Sequence, residues 1–286
     1  MQTESQTPNR QTYRYWANKS LDQSWKLLAL PMLLFIALPL LSLFTHTSLS
    51  DLLTNLDKQQ VTQAIRLSLV TSLATTLVTI LFGTPVAYLL AQPNIRVHNL
   101  VDTLIDLPIV LPPSVAGVAL LLAFGRRGLL GGWLTAAGIS IPFTMIAVIM
   151  AQTFVAASFY IKAAAIGFSS LEPELKQAAE LDGANRWQTF WYVNVPLAWT
   201  ALLSGSVTTY ARALGEFGAT IIFAGNFPGR TQTMPLAIYL GFEIDLDVAL
   251  TLAIILVGFS FSALLIIKGI LHRRLDSNLG AAGTKP

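Results

Sequence analysis

The chain contains no cysteine, and few of its residues carry charge. Of its 286 residues 12% are Asp, Glu, Lys or Arg, against roughly 25% in an average soluble domain. Without cysteine there is no disulfide, thiolate metal site or cysteine nucleophile. The 18 basic residues barely exceed the 15 acidic ones, which argues against a nucleic-acid-binding surface. Hydrophobic residues make up 53% of the chain, so lipid is expected to surround most of it.

Six apolar runs are long enough, or nearly so, to cross a bilayer as helices, which takes about 20 residues. They cover residues 27–44, 67–91, 107–125, 143–161, 195–222 and 248–267. The third run contains Pro112 and Pro113, which interrupt a helix, and the fifth contains two charged residues. The pattern predicts an all-α integral membrane protein with about six transmembrane helices.

The basic residues orient the predicted spans. Twelve of them fall on the side of the N-terminus, five on the opposite side, and Arg212 lies inside a span. Because cytoplasmic loops are rich in Lys and Arg, both termini are predicted to be cytoplasmic. Residues 1–26 then form a polar cytoplasmic tail, residues 27–44 the first transmembrane helix, and residues 269–286 a cytoplasmic C-terminal tail.

Residues 162–194 form the one long polar segment between spans, and their pattern predicts a helix at the membrane surface. Ser169 and Glu172 have the spacing of a capping box, Pro173 is tolerated in a first turn, and Gly183 suits a left-handed helix end. An apolar stripe consists of Leu171, Leu175, Ala178 and Ala179. Such a stripe is typical both of an interfacial amphipathic helix and of a helix that docks on another protein.

The same segment resembles the EAA loop of ABC-transporter permeases. Gln177-Ala178-Ala179 stands where the family has Glu-Ala-Ala, and Gly183 follows after three intervening residues. Val193-Asn194-Val195-Pro196, after nine more residues, matches the Ile-x-Leu-Pro-like close of the family's loop. Gln177 departs from the family's Glu but keeps its length and hydrogen-bonding capacity. In that family the loop is a coupling helix that fits a cleft on the ATP-hydrolysing subunit. The resemblance therefore implies an ATPase-coupling site made of Gln177, Ala178, Ala179, Glu180, Gly183 and Pro196.

The sequence has no phosphate-binding loop of the form Gly, four residues, Gly, Lys and Ser or Thr. ATP and Mg²⁺ are therefore expected on a partner ATPase, whereas this chain is expected to have no catalytic residue and to bind no cofactor or metal. The resemblance implies four kinds of partner: an ATP-binding cassette subunit, an extracytoplasmic oxyanion-binding protein, a second permease copy forming a homodimer, and the lipid of the cell inner membrane.

Residues 210–239 narrow the resemblance. They read YARALGEFGAT and, after two residues, FAGNFPGRTQTMPLAIY, which is similar to the molybdate and sulfate branch of binding-protein-dependent permeases. LPPSVAG and GRRG, from residues 111 and 125 on, are closer to the molybdate members. The resemblance covers residues 61–268 and implies a type I ABC permease domain that imports molybdate, or a related tetrahedral oxyanion, by alternating access.

Arg212 and Glu216 form a charged pair inside the predicted fifth span. Four residues apart, they share a helical face and can pair. A charge in a span costs about 2.5–3.5 kcal/mol unless it meets a partner or a wet cavity, so both side chains should point into the bundle. The pair either fixes helix packing or lies on the translocation path, where Arg212 would offset the charge of a passing dianion.

Other charged residues are expected at the ends of the spans. Arg126, Arg127 and Arg230 fall on the outer side, where they either pair with headgroups or carboxylates or dock an anion-loaded binding protein. Asp102 and Asp106 are expected to be solvated at the cytoplasmic interface, although a contact with the polar segment is also open.

Other functions remain open from the sequence alone. Within the same family the substrate could be sulfate, thiosulfate or tungstate. Outside it, the rivals are an ion-coupled secondary transporter and a membrane-embedded enzyme. A coupled carrier usually carries inverted repeats and ionisable residues near the midplane, where this chain offers only Arg212 and Glu216.

Overall fold

The computed structural model describes residues 10–92 and 98–282. Every regular element in these ranges is helical, which confirms the predicted all-α class. The chain divides into two units, residues 1–49 and 50–286. The helices are α1 (Arg10–Thr45), α2 (Leu49–Leu56), α3 (Gln59–Leu90), α4 (His98–Val110), α5 (Pro113–Phe124), α6 (Gly131–Ala136), α7 (Met145–Ser169), α8 (Pro173–Leu181), α9 (Arg186–Thr189), α10 (Val195–Leu214), α11 (Gly218–Phe223), α12 (Met234–Ile244) and α13 (Leu246–Ala282).

Four helices are long and apolar enough to cross a membrane. They are Trp25–Thr45 of α1, Gln59–Leu90, Met145–Ser169 and Leu246–Ile266 of α13. Helices α1 and α13 continue beyond these windows into the predicted tails, whose outermost residues, 1–9 and 283–286, lie outside the described ranges. A fifth candidate is the pair Asn99–Val110 and Pro113–Phe124, which is bent by 116°.

The predicted fifth span is not one helix. It consists of α10 and α11, separated at Gly215, Glu216 and Phe217. Helix α10 has 20 residues, but its Ser, Thr and Gly residues together with Arg212 make it more polar than the four candidate spans. It packs against α3, α7 and α13, where neighbouring helices cover part of its polar side chains. The expected six spans are reached when both the bent pair and α10 are counted.

Proline marks the beginning of several helices. Pro113, Pro173, Pro196 and Pro235 stand in the first turn of α5, α8, α10 and α12. A proline has no N–H, and the first N–H groups of a helix have no intrahelical acceptor, so proline loses nothing there. Helix α7 begins differently, because the Thr144 hydroxyl accepts the Ala147 N–H at 3.3 Å.

Three apolar clusters hold the second unit together. The first joins α5, α7 and α11, the second α3, α7 and α10, and the third α3, α10, α12 and α13. Two glycines bring α7 and α10 close: a Cβ on Gly205 would lie 3.0 Å from the Ala163 Cβ, and one on Gly167 would lie 2.5 Å from the Ala201 Cβ. Small residues of this kind let membrane helices pack closely.

Candidate functional site

Helix α8 occupies the predicted polar segment and has the predicted ends. Pro173 opens it, and Gly183 follows it with φ +87°, a left-handed conformation that favours glycine. The predicted capping box is wrong, because α7 continues to Ser169 and the Ser169 hydroxyl donates to the Ile166 carbonyl at 3.0 Å. Glu172 makes no side-chain capping bond.

A capping box occurs one helix later, at the beginning of α9. The Asn185 Oδ1 accepts the Gln188 N–H at 2.9 Å, and the Gln188 Oε1 accepts the Asn185 N–H at 2.8 Å. The sequence signal is Asn followed three residues later by Gln, which has the same spacing as the Ser and Glu pair. A π-helical turn, Phe190–Asn194, then leads into α10. We call Pro173–Asn194 the α8–π segment.

The coupling residues implied by the EAA resemblance lie on an uncovered helix. No residue of α8 is buried. Gln177, Ala178, Glu180 and Gly183 are exposed, and Ala179 is half-buried. Within the described ranges Leu175 and Ala178 of the apolar stripe are therefore exposed, whereas Leu171 and Ala179 are half-buried.

The C-terminal end of the α8–π segment, which we call its base, is attached to the spans. The Asn194 amide is buried and donates to the Tyr88 hydroxyl at 3.4 Å. The Tyr88 ring packs edge-on against Phe168 and Phe190, with ring centroids 5.6 and 5.1 Å apart. Pro196, the last residue of the implied coupling set, follows the π-helical turn in the first turn of α10. An uncovered helix is thus joined to an ordered base.

Arg212 and Glu216 pair as predicted, but not on one continuous helix. The Arg212 Nη1 lies 2.8 Å from the Glu216 Oε2, and the Glu216 side chain is 1% exposed. Helix α10 ends at Leu214, so the carboxylate stands in the interruption before α11. Its Oε1 accepts the Ala219 N–H at 2.9 Å. Glu216 therefore bonds to both sides of the interruption.

The two interrupted regions of the bundle contact each other. We call Leu111 and Pro112 the first break and Gly215–Phe217 the second break. A Cβ on Gly218, which follows the second break, would lie 2.7 Å from the Pro113 Cβ, and one on Gly117 would lie 2.8 Å from the Ala219 carbonyl oxygen. Helix α5 is thus pressed against α11.

The outer arginines lie on exposed loops. Arg126 and Arg127 follow α5, Arg230 lies between α11 and α12, and all three are exposed. The loop of Arg230 is ordered by the Phe227 carbonyl, which accepts the N–H groups of residues 230, 231 and 232 at 2.9 to 3.1 Å. In the described ranges none of the three arginines has a carboxylate within 4.0 Å.

Asp102 and Asp106 are not only solvated but ion-paired with Lys162, the first residue of the polar segment 162–194, so the contact with that segment that the sequence left open is present. The Lys162 Nζ lies 2.7 Å from the Asp102 Oδ1 and 2.8 Å from the Asp106 Oδ2. The aspartates lie on α4 and the lysine on α7, far apart in the sequence. The four-residue spacing of the aspartates is the only sequence signal for this cluster.

A buried polar stripe on α3 has no counterpart in the sequence-based prediction. Its members are Ser68, Thr71, Ser72, Thr75, Thr76 and Thr79. The Ser68 hydroxyl accepts the Met234 N–H at 2.7 Å, and the Thr75 hydroxyl donates to the Gln152 Oε1 at 3.0 Å. Hydroxyls at spacings of three and four were the available signal. The stripe holds α12 and α7 on α3.

The described residues contain no group of three His, Cys, Asp or Glu side chains that could hold a metal ion. Among the polar groups that the fold brings together are the Arg212–Glu216 pair, the Lys162 cluster and the α3 hydroxyls. Such groups can offset charge or fix helices.

Residues 80–277 match the model of a family described as "Binding-protein-dependent transport system inner membrane component". The chain is 39% identical to the molybdenum transport system permease protein ModB of Mycobacterium tuberculosis, over 80% of this chain and 87% of that one. It is 37% identical to the probable transport system permease protein NifC of Clostridium pasteurianum, over 84% and 85%. A sulfate transport system permease protein, CysW of Synechococcus elongatus, is 34% identical over 79% of each chain.

Solved structures share the fold at lower identity. A chain of a bacterial ABC transporter involved in alginate import superposes with a TM-score of 0.67 at 18% identity, over 91% of this chain and 99% of that chain. A chain of the MetNI methionine ABC transporter gives a TM-score of 0.58 at 18% identity, over 74% and 95%. These similarities confirm the expected type I permease fold.

Proposed function

The chain belongs to the family of binding-protein-dependent transport system inner membrane components, and we propose that it is the permease subunit of an ATP-driven molybdate importer. The observation that carries the transport mechanism is the uncovered helix α8, which lies between two spans and has an ordered base. Two relatives of the chain, at 37% and 39% identity, are themselves named as transport permeases.

An ATP-binding cassette subunit docks on α8. The open stripe around Ala178 and Ala179 provides close apolar packing, and Gln177 and Glu180 provide polar contacts at its edge. ATP and Mg²⁺ belong to that partner, since this sequence has no phosphate-binding loop. ATP binding draws two such partners together, and α8 moves with them.

Molybdate is favoured as the substrate by the relatives of this chain. Relatives named for molybdenum reach 39% identity, and a relative named for sulfate reaches 34%. Molybdate, sulfate, thiosulfate and tungstate are all tetrahedral dianions, so any of the last three is the alternative substrate. A separate extracytoplasmic binding protein delivers the anion and provides most of the selectivity.

Arg212 and Glu216 are the candidates for the translocation path. Arg212 keeps 31% of its side chain exposed while Glu216 is almost completely buried, so the guanidinium is the member of the pair that an anion could approach. It would attract a passing dianion, and the carboxylate beside it would keep that attraction weak. A second copy of the chain encloses the path in the homodimer.

Arg126, Arg127 and Arg230 are the candidates for docking the binding protein. They are exposed and have no carboxylate partner in the described ranges. Clustered positive charge speeds encounters with acidic surfaces and with anions, and salt screens the effect. In the proposed topology both termini lie on the cytoplasmic side and these arginine loops lie on the outer side of the membrane, where a binding protein would approach.

Reconstitution tests the proposed function directly. The chain is inserted into liposomes with its ATPase and binding protein, and uptake of labelled molybdate is measured with sulfate as competitor. We expect uptake that needs ATP and that excess sulfate reduces little. Uptake driven by an ion gradient without ATP would instead identify a secondary transporter, and stronger competition by sulfate would identify a sulfate permease.

Substitution of Arg212 distinguishes a role on the translocation path from a purely structural role in fixing the helices. Arg212→Gln removes the charge and is expected to reduce molybdate uptake about tenfold or more, whereas Arg212→Lys keeps the charge and most of the uptake. Complex assembly, measured by co-purification of the ATPase, should be the same for both variants. If both lose uptake equally, the guanidinium acts by fixing the helices.

A further inference from the structure

Helices α4 and α5 have different main neighbours in the bundle. Helix α4 packs on α7, and its Val101 and Ile105 side chains lie against the apolar cluster of α3, α7 and α10. Helix α5 packs mainly on α11 and less extensively on α7. The axes of α4 and α5 are bent by 116° at the first break. The two arms of the bent pair therefore differ in their main contact, which is α7 for α4 and α11 for α5.

Polar contacts fix α4 to α7. Asp102 and Asp106 are one turn apart on α4, and both pair with the Lys162 ammonium at 2.7 and 2.8 Å. One turn before the lysine, the Ser158 hydroxyl donates to the Ile105 carbonyl. Because Ser158 and Lys162 are four residues apart, both contacts lie on one face of α7. We call these three contacts the α4–α7 clamp.

The clamp stands close to the α8–π segment. Ser169, the last residue of α7, is seven positions after Lys162, which is about 10 Å along a helix. Helix α10 emerges from the other end of the segment, and glycines 167 and 205 lock it tightly to α7. Helices α7 and α10 therefore form a single support on both sides of the segment, and α4 is attached to that support.

The first break interrupts the hydrogen bonds that would otherwise join α4 to α5 in one continuous helix. Pro112 and Pro113 carry no N–H, so two consecutive positions of the helical hydrogen-bond ladder are empty. Beyond the break, Gly117 and Gly218 press α5 against α11. Helix α11 in turn begins at the second break, where Glu216 holds the Ala219 N–H and Arg212.

We propose that α4 is a lever that carries the motion of the α8–π segment to α5 and α11, with Lys162 as its positioning residue and the first break as its hinge. The inference rests on the proposed function. When a partner moves α8, the α7–α10 support moves and the clamp carries α4 along. The hinge then changes the angle of α5, which bears on the second break and on the Arg212–Glu216 pair.

Loss of the clamp should uncouple transport from ATP hydrolysis. In proteoliposomes containing the ATPase and the loaded binding protein, Lys162→Gln is expected to lower the molybdate imported per ATP hydrolysed about tenfold. ATPase assembly and the rate of ATP hydrolysis should stay within about twofold of the unmodified complex. Lys162→Arg keeps both ion pairs and should keep the ratio. Lys268→Gln, which removes an exposed lysine on α13, is the matched control and should also keep it.

A covalent clamp should restore coupling. Because the chain has no native cysteine, Lys162→Cys with Asp102→Cys provides a defined pair for a short bifunctional thiol reagent. The uncross-linked pair should be uncoupled, and the cross-linked pair should recover most of the molybdate per ATP. A cross-link that leaves the ratio low or lowers it further would overturn the lever, since α4 would then have to slide on α7.

The outcomes separate the lever from the proposed function. If the unmodified chain shows no uptake that depends on ATP, the proposed function fails and the lever fails with it. If that uptake is present and Lys162→Gln imports as much molybdate per ATP hydrolysed as the unmodified chain, only the lever is wrong. Should Lys162→Gln not assemble, Asp102→Asn and Asp106→Asn each keep one ion pair and should lower the ratio about threefold. An unchanged ratio in both would overturn the lever.

Discussion

At the scale of single residues, two small positions determine how the breaks meet. Gly218 lies against Pro113, where an added Cβ would be 2.7 Å from the proline Cβ, whereas the nearest atom to a Cβ on Gly215 is the Ala211 carbonyl oxygen at 3.8 Å. Neither glycine has a positive φ. The requirement at Gly218 is therefore space, and Gly215 has room for a methyl group.

Alanine at these two positions should have opposite effects. Gly218→Ala must push α11 away from Pro113, and overpacking of this kind typically costs about 1–3 kcal/mol. Gly215→Ala adds a methyl group without a clash and should be neutral or stabilising by less than about 1 kcal/mol. Thermal unfolding of the purified chain in detergent measures both. Equal melting temperatures for the two variants would contradict the packing described at the first break.

Another residue-scale contact joins α3 to the turn between α12 and α13. The Lys58 Nζ lies 2.8 Å from the Asp245 Oδ2, and the Asp245 Oδ1 accepts the Val248 N–H at 3.2 Å. The Lys58 ammonium and then the backbone N–H hold the pKa of Asp245 below its ordinary value. Both side chains are about 40% exposed, so water screens the pair and its contribution is small, below about 1 kcal/mol.

The stability that this pair contributes should depend on pH in one direction. A carboxyl whose pKa is lowered by folding stabilises the protein above the unfolded value of about 3.9, and the contribution is lost as the pH falls through the folded pKa. Asp245→Asn keeps the acceptor for Val248 and removes only the charge. The variant should melt slightly below the parent at pH 7, and the gap in melting temperature should narrow as the pH falls below about 3.9. A gap that does not narrow in that range would assign the effect to another cause.

At the scale of elements, the residues at the two ends of α8 stabilise the helix more than the intrinsic helix propensity of its residues does. Its nine residues are too few to form a stable isolated helix. Pro173 presets the first turn, and the left-handed Gly183 ends the helix. The Asn185 and Gln188 capping box fixes the chain that follows. This end structure explains how a helix without a single buried residue keeps its place.

A substitution at Gly183 should loosen α8 without any steric clash. A Cβ there has no atom within 4 Å, so Gly183→Ala has only the conformational penalty of a left-handed residue, about 1–2 kcal/mol. Gly183→Asn should be milder, because Asn tolerates this conformation. Amide hydrogen exchange of α8 should be faster in the Ala variant by about 5- to 30-fold. The same rate in parent and Ala variant would show that the left-handed end does not stabilise α8.

At the scale of the whole molecule, the spans place the arginine loops and α8 at opposite ends of the second unit. Arg127 lies beyond the end of α5, and Leu181 ends α8 beyond the opposite end of the spans. The distribution of Lys and Arg predicts that α8 lies on the cytoplasmic side. In the proposed function, α8 then faces the ATPase and the arginines face the binding protein.

Cysteine labelling can test this orientation without a background signal, because the chain has no native cysteine. Arg127→Cys and Leu181→Cys both introduce exposed thiols. A membrane-impermeant maleimide should label position 127 in intact spheroplasts and position 181 only after the membrane is opened. The reverse pattern would invert the topology and exclude both docking assignments.

The apolar runs and the short motifs could be interpreted from the sequence because each depends only on residues that are close together along the chain. A lipid solvent demands apolar helices of sufficient length, so the spans followed from hydropathy. The beginning of α8 at Pro173, its end at Gly183 and the interruption at Pro112 and Pro113 followed from local backbone chemistry. The Arg212 and Glu216 pair followed from their spacing and from the cost of a charge in lipid.

The tertiary structure decided what depends on residues far apart in the chain. Lys162 finds Asp102 and Asp106 only once α4 packs on α7, and Gly218 requires its small size only because Pro113 lies against it. Ser169 does not cap α8 because it is the last residue of α7 and its hydroxyl donates to the Ile166 carbonyl. Sequence alone predicted a helical membrane protein with a short helix between two spans, and its motifs resemble those of a permease. How its breaks and ion pairs connect was set by packing, since helices distant in sequence meet only in the folded bundle.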